Sequence, residues 1–453
     1  MAEPSTPLDS TESSPKIDNP YLSNKTRNYA LGLLTVGYCF NFIDRQLLSI
    51  LQEAIKADLG LSDGQLGLLT GFAFAMFYVS AGIPIARWAD RGNRRNIVAY
   101  AIGIWSFMTA ISGLAQNYLQ LFLARIGVGI GEAGGSPPSY SIMADYFKPS
   151  ERARAMGIYF TGAVLGTGGG LIVGGLLGEW LGWRMTFFVL GVPGVLLGVL
   201  LYFTVKEPPR GRYDTGNQAS KEATDLPRTL KSLARNKVYV RVSISFAMLT
   251  MVGYAMAMWL APIMLRNFDV SLGKVGLYLG ITYICGGIPG PLIGGYLTDY
   301  MVKLDSRWRA WIPAIAVVCS VSTFWFCLSA ESLWEFLGFF ALTYAIFMIP
   351  QGASMSLLQS SVGSGERALG TSFALLVNSM VGLALGPLLI GILSDALAPT
   401  YGVKSLNYAL MTVCGIAALI ATLCYLWTSK AMLAGPDLDE ITDNAVEQST
   451  SAA

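Results

Sequence analysis

Apolar residues in this chain recur in runs much longer than the core-facing stripe of a soluble helix. Twelve runs of at least 18 residues begin near positions 28, 64, 94, 118, 153, 184, 238, 274, 310, 334, 368 and 404. An apolar stretch of this length can cross the hydrocarbon layer of a bilayer as a single α-helix. The pattern therefore predicts an all-α polytopic membrane protein with twelve transmembrane helices, short loops, two polar tails and one longer linker.

The composition agrees with this class and narrows the chemistry. Hydrophobic residues make up 53% of the 453 positions and charged residues 13%, against about 25% charged residues in an average soluble domain. The six cysteines lie in apolar segments without C-x-x-C spacing, which indicates buried thiols and not metal ligands. Because the chain has no histidine, any proton chemistry must use carboxylates. We expect no metal, no cofactor and no enzymatic activity.

Lysine and arginine are distributed unequally between alternate loops. If both termini are cytosolic, 24 of the 31 Lys and Arg residues lie on the inner side and five on the outer side, with Arg45 and Arg125 inside the membrane. Cytosolic loops carry such an excess of basic residues, so we predict that both termini are cytosolic. The basic clusters are then juxtamembrane anchors, and the net charge of +2 does not indicate a nucleic-acid partner.

The sequence also contains an internal repeat. ARWADRGNRR after the second predicted helix corresponds to GGYLTDYM after the eighth, which aligns Asp90 with Asp299, and PSERARAMG corresponds to GSGERALG. The repeat predicts two parallel six-helix halves. The predicted boundaries are 1–27 for the N-terminal tail, 28–205 for the first half, 206–236 for the linker, 237–430 for the second half and 431–453 for the C-terminal tail.

Four ionisable residues interrupt two of the apolar runs: Asp44 and Arg45 in the first, Arg125 and Glu132 in the fourth. A charge at the bilayer centre costs about 2.5–3.5 kcal/mol on insertion scales, so such residues usually pair, face a polar cavity and serve the function. Arg125 and Glu132 are two helical turns apart and share one face. Asp44 and Arg45 point about 100° apart, so we expect them to reach across to that face. The alternative is a purely structural ion quartet.

Charge balance within these four residues suggests a mechanism. The ionised quartet sums to zero, and protonation of Asp44 or Glu132 would leave a guanidinium without its partner. An anionic headgroup could take that place, because arginine binds phosphate or carboxylate with two parallel hydrogen bonds. We therefore predict Arg125 and Arg45 as headgroup ligands and Glu132 or Asp44 as the proton carrier. Glu132 is preferred because it lies on the Arg125 face.

The second half has no comparable central charge but is rich in aromatic residues and methionine. A cavity between the halves would be polar on one wall and apolar on the other, which suits an amphiphile. Most such side chains serve ordinary packing, although methionine surfaces adapt to varied apolar ligands. The candidate residues for the apolar wall are Tyr254, Met258, Trp259, Tyr344, Phe347 and Met348.

Glycine and proline mark positions of close packing and helix interruption. Helix five contains GTGGGLIVGGLLG (166–178), and helix eleven contains Gly382, Gly386 and Gly391. Small residues at such spacing let membrane helices approach closely. GGSPP (134–138) follows Glu132 and predicts a break in helix four, where a cavity could satisfy the freed backbone groups.

These motifs resemble known families. ADRGNRR resembles the signature loop of the major facilitator superfamily, although Ala86 replaces its first glycine and Gly92 and Asn93 are transposed. NFIDRQLLSIL (41–51) and RIGVGIGEAGGSPPSYSIMADYF (125–147) resemble the spinster family, whose members move sphingosine 1-phosphate and lysophospholipids coupled to protons. The resemblance covers essentially all twelve helices. The short loops indicate a bacterial member in the inner membrane, which we expect to be a monomer.

The superfamily resemblance further implies a gate at the cytosolic side. Ion pairs there would hold that side closed in one state of the transport cycle. The residues implied are Asp90, Arg94, Arg95, Arg154, Asp299 and Arg367.

Three functions remain open from the sequence. The first is proton-coupled transport of a lysolipid-like or sphingolipid-like amphiphile, with membrane lipids and protons as partners. The second is a carrier of small organic anions or drugs on the same fold. The third is a channel or lipid sensor without transport, which the absence of a repeated filter sequence disfavours.

Overall fold

The computed structural model describes residues 23–213, 226–362 and 367–432, and every regular element within these ranges is helical. Consecutive segments form twelve long helices and one short linker helix, Leu226–Arg235. The twelve are α1 (Asn24–Leu59), α2 (Asp63–Gly67, Leu68–Phe72 and Ala73–Arg91), α3 (Arg94–Ser112), α4 (Tyr118–Glu132 and Ser136–Tyr146), α5 and α6 (together Pro149–Thr204), α7 (Lys237–Asn267), α8 (Leu272–Gly287 and Pro289–Val302), α9 (Trp308–Ser329), α10 (Leu333–Met348 and Pro350–Ser360), α11 (Arg367–Asn378, Ser379–Leu385 and Gly386–Tyr401) and α12 (Ser405–Ala431).

Length and apolar composition alone identify seven stretches of the described chain that could span a membrane. Two of them, Pro149–Thr204 and Leu369–Ala431, each contain two of the twelve helices. Gly182 separates α5 from α6, and its φ of 76° places it in a region that favours glycine. Gly402, with φ 54°, likewise ends α11 before α12. The predicted all-helical architecture is confirmed within the described residues, and its helices follow the predicted order.

Several helices begin where a polar side chain caps the first turn. The side chains of Asn93, Asn117 and Asn236 each accept a hydrogen bond from the backbone N–H three residues later, at the start of α3, α4 and α7. Such a cap satisfies one of the N–H groups that a helix leaves unpaired. The predicted break in α4 is also confirmed, because the helix stops at Glu132 and resumes at Ser136.

The two halves meet along α2–α11 and α5–α8, with α1 also contacting α7. Glycines make this approach possible. A Cβ atom at Gly71 of α2 would lie 2.8 Å from the carbonyl oxygens of Leu383 and Ala384 in α11, and one at Gly175 of α5 would lie 2.8 Å from the carbonyl oxygen of Leu272 in α8. The predicted close packing of the glycine-rich helices is therefore confirmed.

One end of the bundle holds the ion pairs that join the halves. We call it the closed end; it contains the turns between α1 and α2 and between α7 and α8. Among the described residues, each ion pair between the halves involves Arg266, at the end of α7. At the opposite end, the ion pairs of the described chain lie within one half, as in Arg94–Asp145. Within the described residues, ion pairs thus join the two halves at one end only.

Candidate functional site

The four charges predicted inside the membrane meet between α1 and α4. They pair crosswise, so that each residue of α1 binds a residue of α4. Nε and Nη2 of Arg45 donate to Oε2 of Glu132 at 2.9 and 2.8 Å, and Nη1 of Arg125 donates to Oδ2 of Asp44 at 3.3 Å. The expectation that Asp44 and Arg45 reach across to the α4 face is confirmed.

The Asp44–Arg125 pair is the deeper of the two. Asp44 is 4% exposed and Arg125 3% exposed. Both oxygens of Asp44 accept hydrogen bonds, Oδ2 from Arg125 and Oδ1 from the hydroxyl of Thr109 on α3. Buried charges are tolerated when they are paired and hydrogen-bonded in this way. The hydroxyl of Thr109 therefore belongs to the site, although the sequence pattern did not indicate it.

The Arg45–Glu132 pair lies nearer the second half of the protein. The Arg45 side chain is 14% exposed, whereas that of Glu132 is fully buried. Nη1 of Arg45 reaches the hydroxyl of Tyr254 on α7 at 3.5 Å. Oε1 of Glu132 is buried and has no hydrogen-bond partner among the described residues. This pair is therefore the part of the quartet that contacts both halves.

Aromatic rings surround the Arg45 guanidinium. Its Cζ atom lies 5.4 Å from the ring centroid of Phe42, 4.9 Å from that of Phe74 and 5.7 Å from that of Tyr78. A cation over the face of an aromatic ring is attracted by the ring quadrupole, most strongly where water is excluded. The rings hold Arg45 in place while its nitrogen donors bind Glu132 and Tyr254.

The predicted apolar wall is only partly accessible in this conformation. Met258, Trp259 and Phe347 are buried, with exposures of 0–4%. Tyr254, Tyr344 and Met348 are half-buried. Tyr344 packs against Tyr283 and Phe347, at centroid distances of 4.6 and 6.2 Å. The half-buried residues are the ones that a ligand could reach without rearrangement.

The predicted gate residues occupy the end opposite to the closed end. Arg94 donates to Asp145 of the first half at 2.5 Å and to Glu207, at the start of the linker, at 2.7 Å. The backbone N–H of Arg95 also donates to Glu207, at 2.8 Å. These bonds fix the start of α3 to the end of α6.

The remaining gate residues make no ion pair between the halves in the described chain. Asp90, Arg154 and Asp299 are exposed. The side chain of Arg367 lies outside the described part of the chain. Arg210 of the linker donates to the backbone carbonyls of Ala89, Asp90 and Gly92, and so binds the end of α2. A cytosolic gate built from these residues stays a prediction for a state in which this end is closed.

Sequence reasoning missed the polar contacts at the closed end. Asp63, at the start of α2, accepts from Arg266 of α7 at 2.7 and 2.8 Å and from Ser394 of α11 at 2.7 Å. Lys56 of α1 donates to the same carboxylate at 2.5 Å. Because Asp63 and these three partners lie on four helices of two halves, no local sequence pattern identifies them.

A second closed-end contact follows from a proline. Pro262 of α7 has no N–H group, so the carbonyl of Met258, four residues earlier, lacks its helical partner. The side chains of Ser49 and Gln52 on α1 donate to this carbonyl. Ser49 also donates to the carbonyl of Ala257 at 2.6 Å. Here the sequence contained a signal, the proline inside an apolar helix.

Two six-helix halves that are joined by ion pairs at one end, with buried charges inside the helix bundle, are the architecture of secondary transporters. Proteins of this class carry small substrates through the space between their halves. The chain belongs to the Major Facilitator Superfamily, which it matches over residues 34–387.

Similar proteins place the chain near spinster transporters. It is similar to a bacterial homologue of the human lysosomal transporter Spinster, solved in an inward-facing and unoccupied conformation. The two share 29% sequence identity with a TM-score of 0.81, and the match covers 91% of this chain and 98% of that chain. It is 32% identical to the MFS-type efflux pump of Mycolicibacterium smegmatis, over 89% of this chain and 92% of the relative. It is 26% identical to the sphingosine-1-phosphate transporter SPNS2 of Danio rerio, over 90% of this chain and 85% of the relative.

Proposed function

We propose that this protein is a proton-coupled transporter of an amphiphile with an anionic or zwitterionic headgroup, working by alternating access. One observation carries the proposal: the Arg45–Glu132 pair contacts both halves, and Arg45 is partly exposed. An anion that approaches between the halves meets the Arg45 guanidinium first. The same guanidinium is bound to a carboxylate that can accept a proton.

The exchange of partners at Arg45 links the proton to the substrate. While Glu132 is ionised, its Oε2 occupies two donors of Arg45. A proton on Glu132 removes that negative charge, and a phosphate or carboxylate headgroup then becomes the partner of Arg45. Oε1 of Glu132 accepts no bond from the described residues and is free to carry the proton, whereas both oxygens of Asp44 already accept hydrogen bonds. These contacts support Glu132 as the proton carrier.

The closed end is assigned to the outer side of a bacterial inner membrane. The last turns of α1 and α7 at this end carry Lys56 and Arg266, two of the five basic residues on the side poor in Lys and Arg. The opposite end carries the basic clusters, and the described chain begins and ends there, at Ser23 and Met432. The space between the halves would then open to the cytosol, as in the inward-facing structure of the similar bacterial protein. Both termini are cytosolic in this assignment.

The second half supports an amphiphilic substrate. Tyr254 is near the polar pair, while Tyr344 and Met348 provide half-buried apolar surface in the same half. A headgroup bound at Arg45 would place its chain along these residues. The similarity to a sphingosine-1-phosphate transporter supports the same substrate class.

Substrate counterflow in proteoliposomes tests this function. Vesicles loaded with unlabelled sphingosine 1-phosphate should accumulate the labelled compound through the wild-type protein, and Arg45→Ala should lose most of this uptake. Glu335→Gln is the matched control, because Glu335 only caps the start of its own helix, α10. Counterflow with a lysophospholipid tests the neighbouring substrate class. No counterflow with either lipid would exclude the proposal.

A second candidate is a carrier of drugs or small organic anions. The burial of Met258, Trp259 and Phe347 favours it, because these residues offer no apolar surface to a long chain in this conformation. The similarity to an efflux pump points the same way. Counterflow with a small sugar acid or a cationic dye, but not with lipids, would support this candidate.

A further inference from the structure

Two carboxylates at the closed end bind helix N-termini that belong to the other half. Oε2 of Glu179, on α5, accepts from the backbone N–H of Gly273 at the start of α8, at 2.6 Å. Asp395, on α11, accepts from the backbone N–H groups of Asp63 and Gly64 at the start of α2, at 2.9 and 2.7 Å. Both helices are long, since the residues 63–91 and 272–302 form continuous spans of 29 and 31 residues.

The two contacts are copies of one contact under the internal repeat. Gly64 and Gly273 are 209 positions apart, the same offset that separates Asp90 from Asp299. Glu179 and Asp395 are 216 positions apart, one more than the offset between the repeated PSERARAMG and GSGERALG segments. Each half therefore supplies one carboxylate and one helix N-terminus.

Glycine at both donor positions allows the carboxylates to come this close. A Cβ atom at Gly64 would lie 2.9 Å from Oδ2 of Asp395, and one at Gly273 would lie 2.5 Å from Oε2 of Glu179. A larger residue would displace the carboxylate from the N–H group. The local sequence thus favours the inter-half bond at both places.

The physical strength of these contacts comes from two sources. The first N–H groups of a helix have no partner within the helix, and the helix dipole favours a negative charge there. A hydrogen bond to an ionised group is also stronger than a neutral one. In these two contacts the cap belongs to the opposite half, so it exists only while this end is closed.

We propose that Glu179 and Asp395 form a paired latch that holds the closed end shut and that both caps must release when this end opens. This inference rests on the proposed alternating access, because only a protein that opens this end has to break the caps. The ion cluster around Asp63 strengthens the closure at the Asp395 cap only. At the Glu179 cap, Leu272 occupies the repeat position that corresponds to Asp63. The caps are the symmetric part of the closure.

Distance measurements on the full chain test the latch without any substrate. Spin labels are placed at Leu114→Cys and Val403→Cys, two exposed positions at the closed end of the first and second half. The exposed thiols Cys285 and Cys319 are replaced by serine. Glu179→Gln, Asp395→Asn and the double variant are compared with Glu335→Gln, which alters a carboxylate that caps its own helix, within one half.

Each single amide variant should raise the ratio of long to short label distances about tenfold, and the double variant should raise it further. Glu179→Ala and Asp395→Ala should shift the ratio at least as far, because they also remove the acceptor. Distances that match those of Glu335→Gln would overturn the latch. The latch would also be overturned if none of the variants yielded monodisperse protein, because the two carboxylates would then be required for folding.

The measurement separates this proposal from the proposed function. If the distances shift but sphingosine 1-phosphate counterflow is absent, the latch holds and the substrate assignment fails. If counterflow is intact in the double variant and its distances are unchanged, the function holds and the latch fails.

Discussion

At the residue scale, the two arginines of the quartet differ in a way that their spacing does not reveal. The sequence places Arg125 and Glu132 on one face of α4, and it predicts Arg125 and Arg45 alike as headgroup ligands. In the structure Arg125 binds Asp44 and is buried, while Arg45 lies over three aromatic rings and reaches Tyr254. Which arginine is accessible depends on how α1 packs against α2 and α7, and a periodicity within one helix contains no such information.

Replacement of each arginine by lysine distinguishes their roles. Lysine keeps the charge but loses the planar guanidinium that binds an anion with two bonds. We expect Arg45→Lys to raise the half-saturating concentration of sphingosine 1-phosphate about tenfold or more. Arg125→Lys should lower the maximal rate more than the affinity, because it acts through Asp44. A larger loss of affinity in Arg125→Lys than in Arg45→Lys would assign the headgroup to Arg125 instead.

At the element scale, most of the architecture follows from the sequence. The predicted starts of the twelve helices lie within a few residues of those observed, and GGSPP marks the break in α4. The π-helical segments Leu68–Phe72 and Ser379–Leu385 were not predicted. They lie where α2 and α11 contact each other across the halves. The backbone there adapts to a partner far away in sequence, so local propensity does not encode it.

Two neighbouring glycines of α5 provide a matched test of the inter-half packing. A Cβ atom at Gly175 would approach Leu272 and Gly276 of α8 to 2.8 and 3.0 Å, whereas one at Gly169 would meet nothing within 4 Å. Gly175→Ala should therefore lower the thermal unfolding midpoint in detergent, corresponding to about 1–3 kcal/mol of overpacking. Gly169→Ala should leave the midpoint unchanged or raise it, because alanine favours helix. Equal effects would show that the α5–α8 contact contributes little.

At the scale of the whole molecule, the predicted gate concerns a state that this structure does not represent. Asp90 and Asp299 are exposed here. The repeat indicated that they are equivalent, but a sequence cannot say which of two conformations a structure adopts, because both use the same residues. The closed-end contacts around Asp63 were missed because they join residues of both halves that lie far apart in sequence.

Asp90→Asn tests the gate through this conformational balance. If Asp90 pairs across the halves only when its end is closed, its neutralisation should favour the conformation seen here. Labelling of a cysteine introduced between the halves, at the end that carries Asp90, should then rise severalfold. Asp305→Asn is the control. Hydrogen bonds from the nearby Arg307 hold the pKa of Asp305 below its usual range, so this substitution removes an ionised carboxylate whose ion-pair partner is only two residues away. Equal labelling in both variants would show that Asp90 helps to set the membrane topology and does not act in the gate.

Transport by Glu132→Gln with and without a pH gradient tests the central claim most directly. The neutral amide imitates a permanently protonated acid and keeps the size of the side chain. In proteoliposomes, a pH gradient should accelerate sphingosine 1-phosphate transport by the wild-type protein and by the Glu335→Gln control. Glu132→Gln should abolish that acceleration while retaining some exchange of substrate. A full response to the gradient in both Glu132→Gln and Asp44→Asn would contradict proton coupling through the quartet.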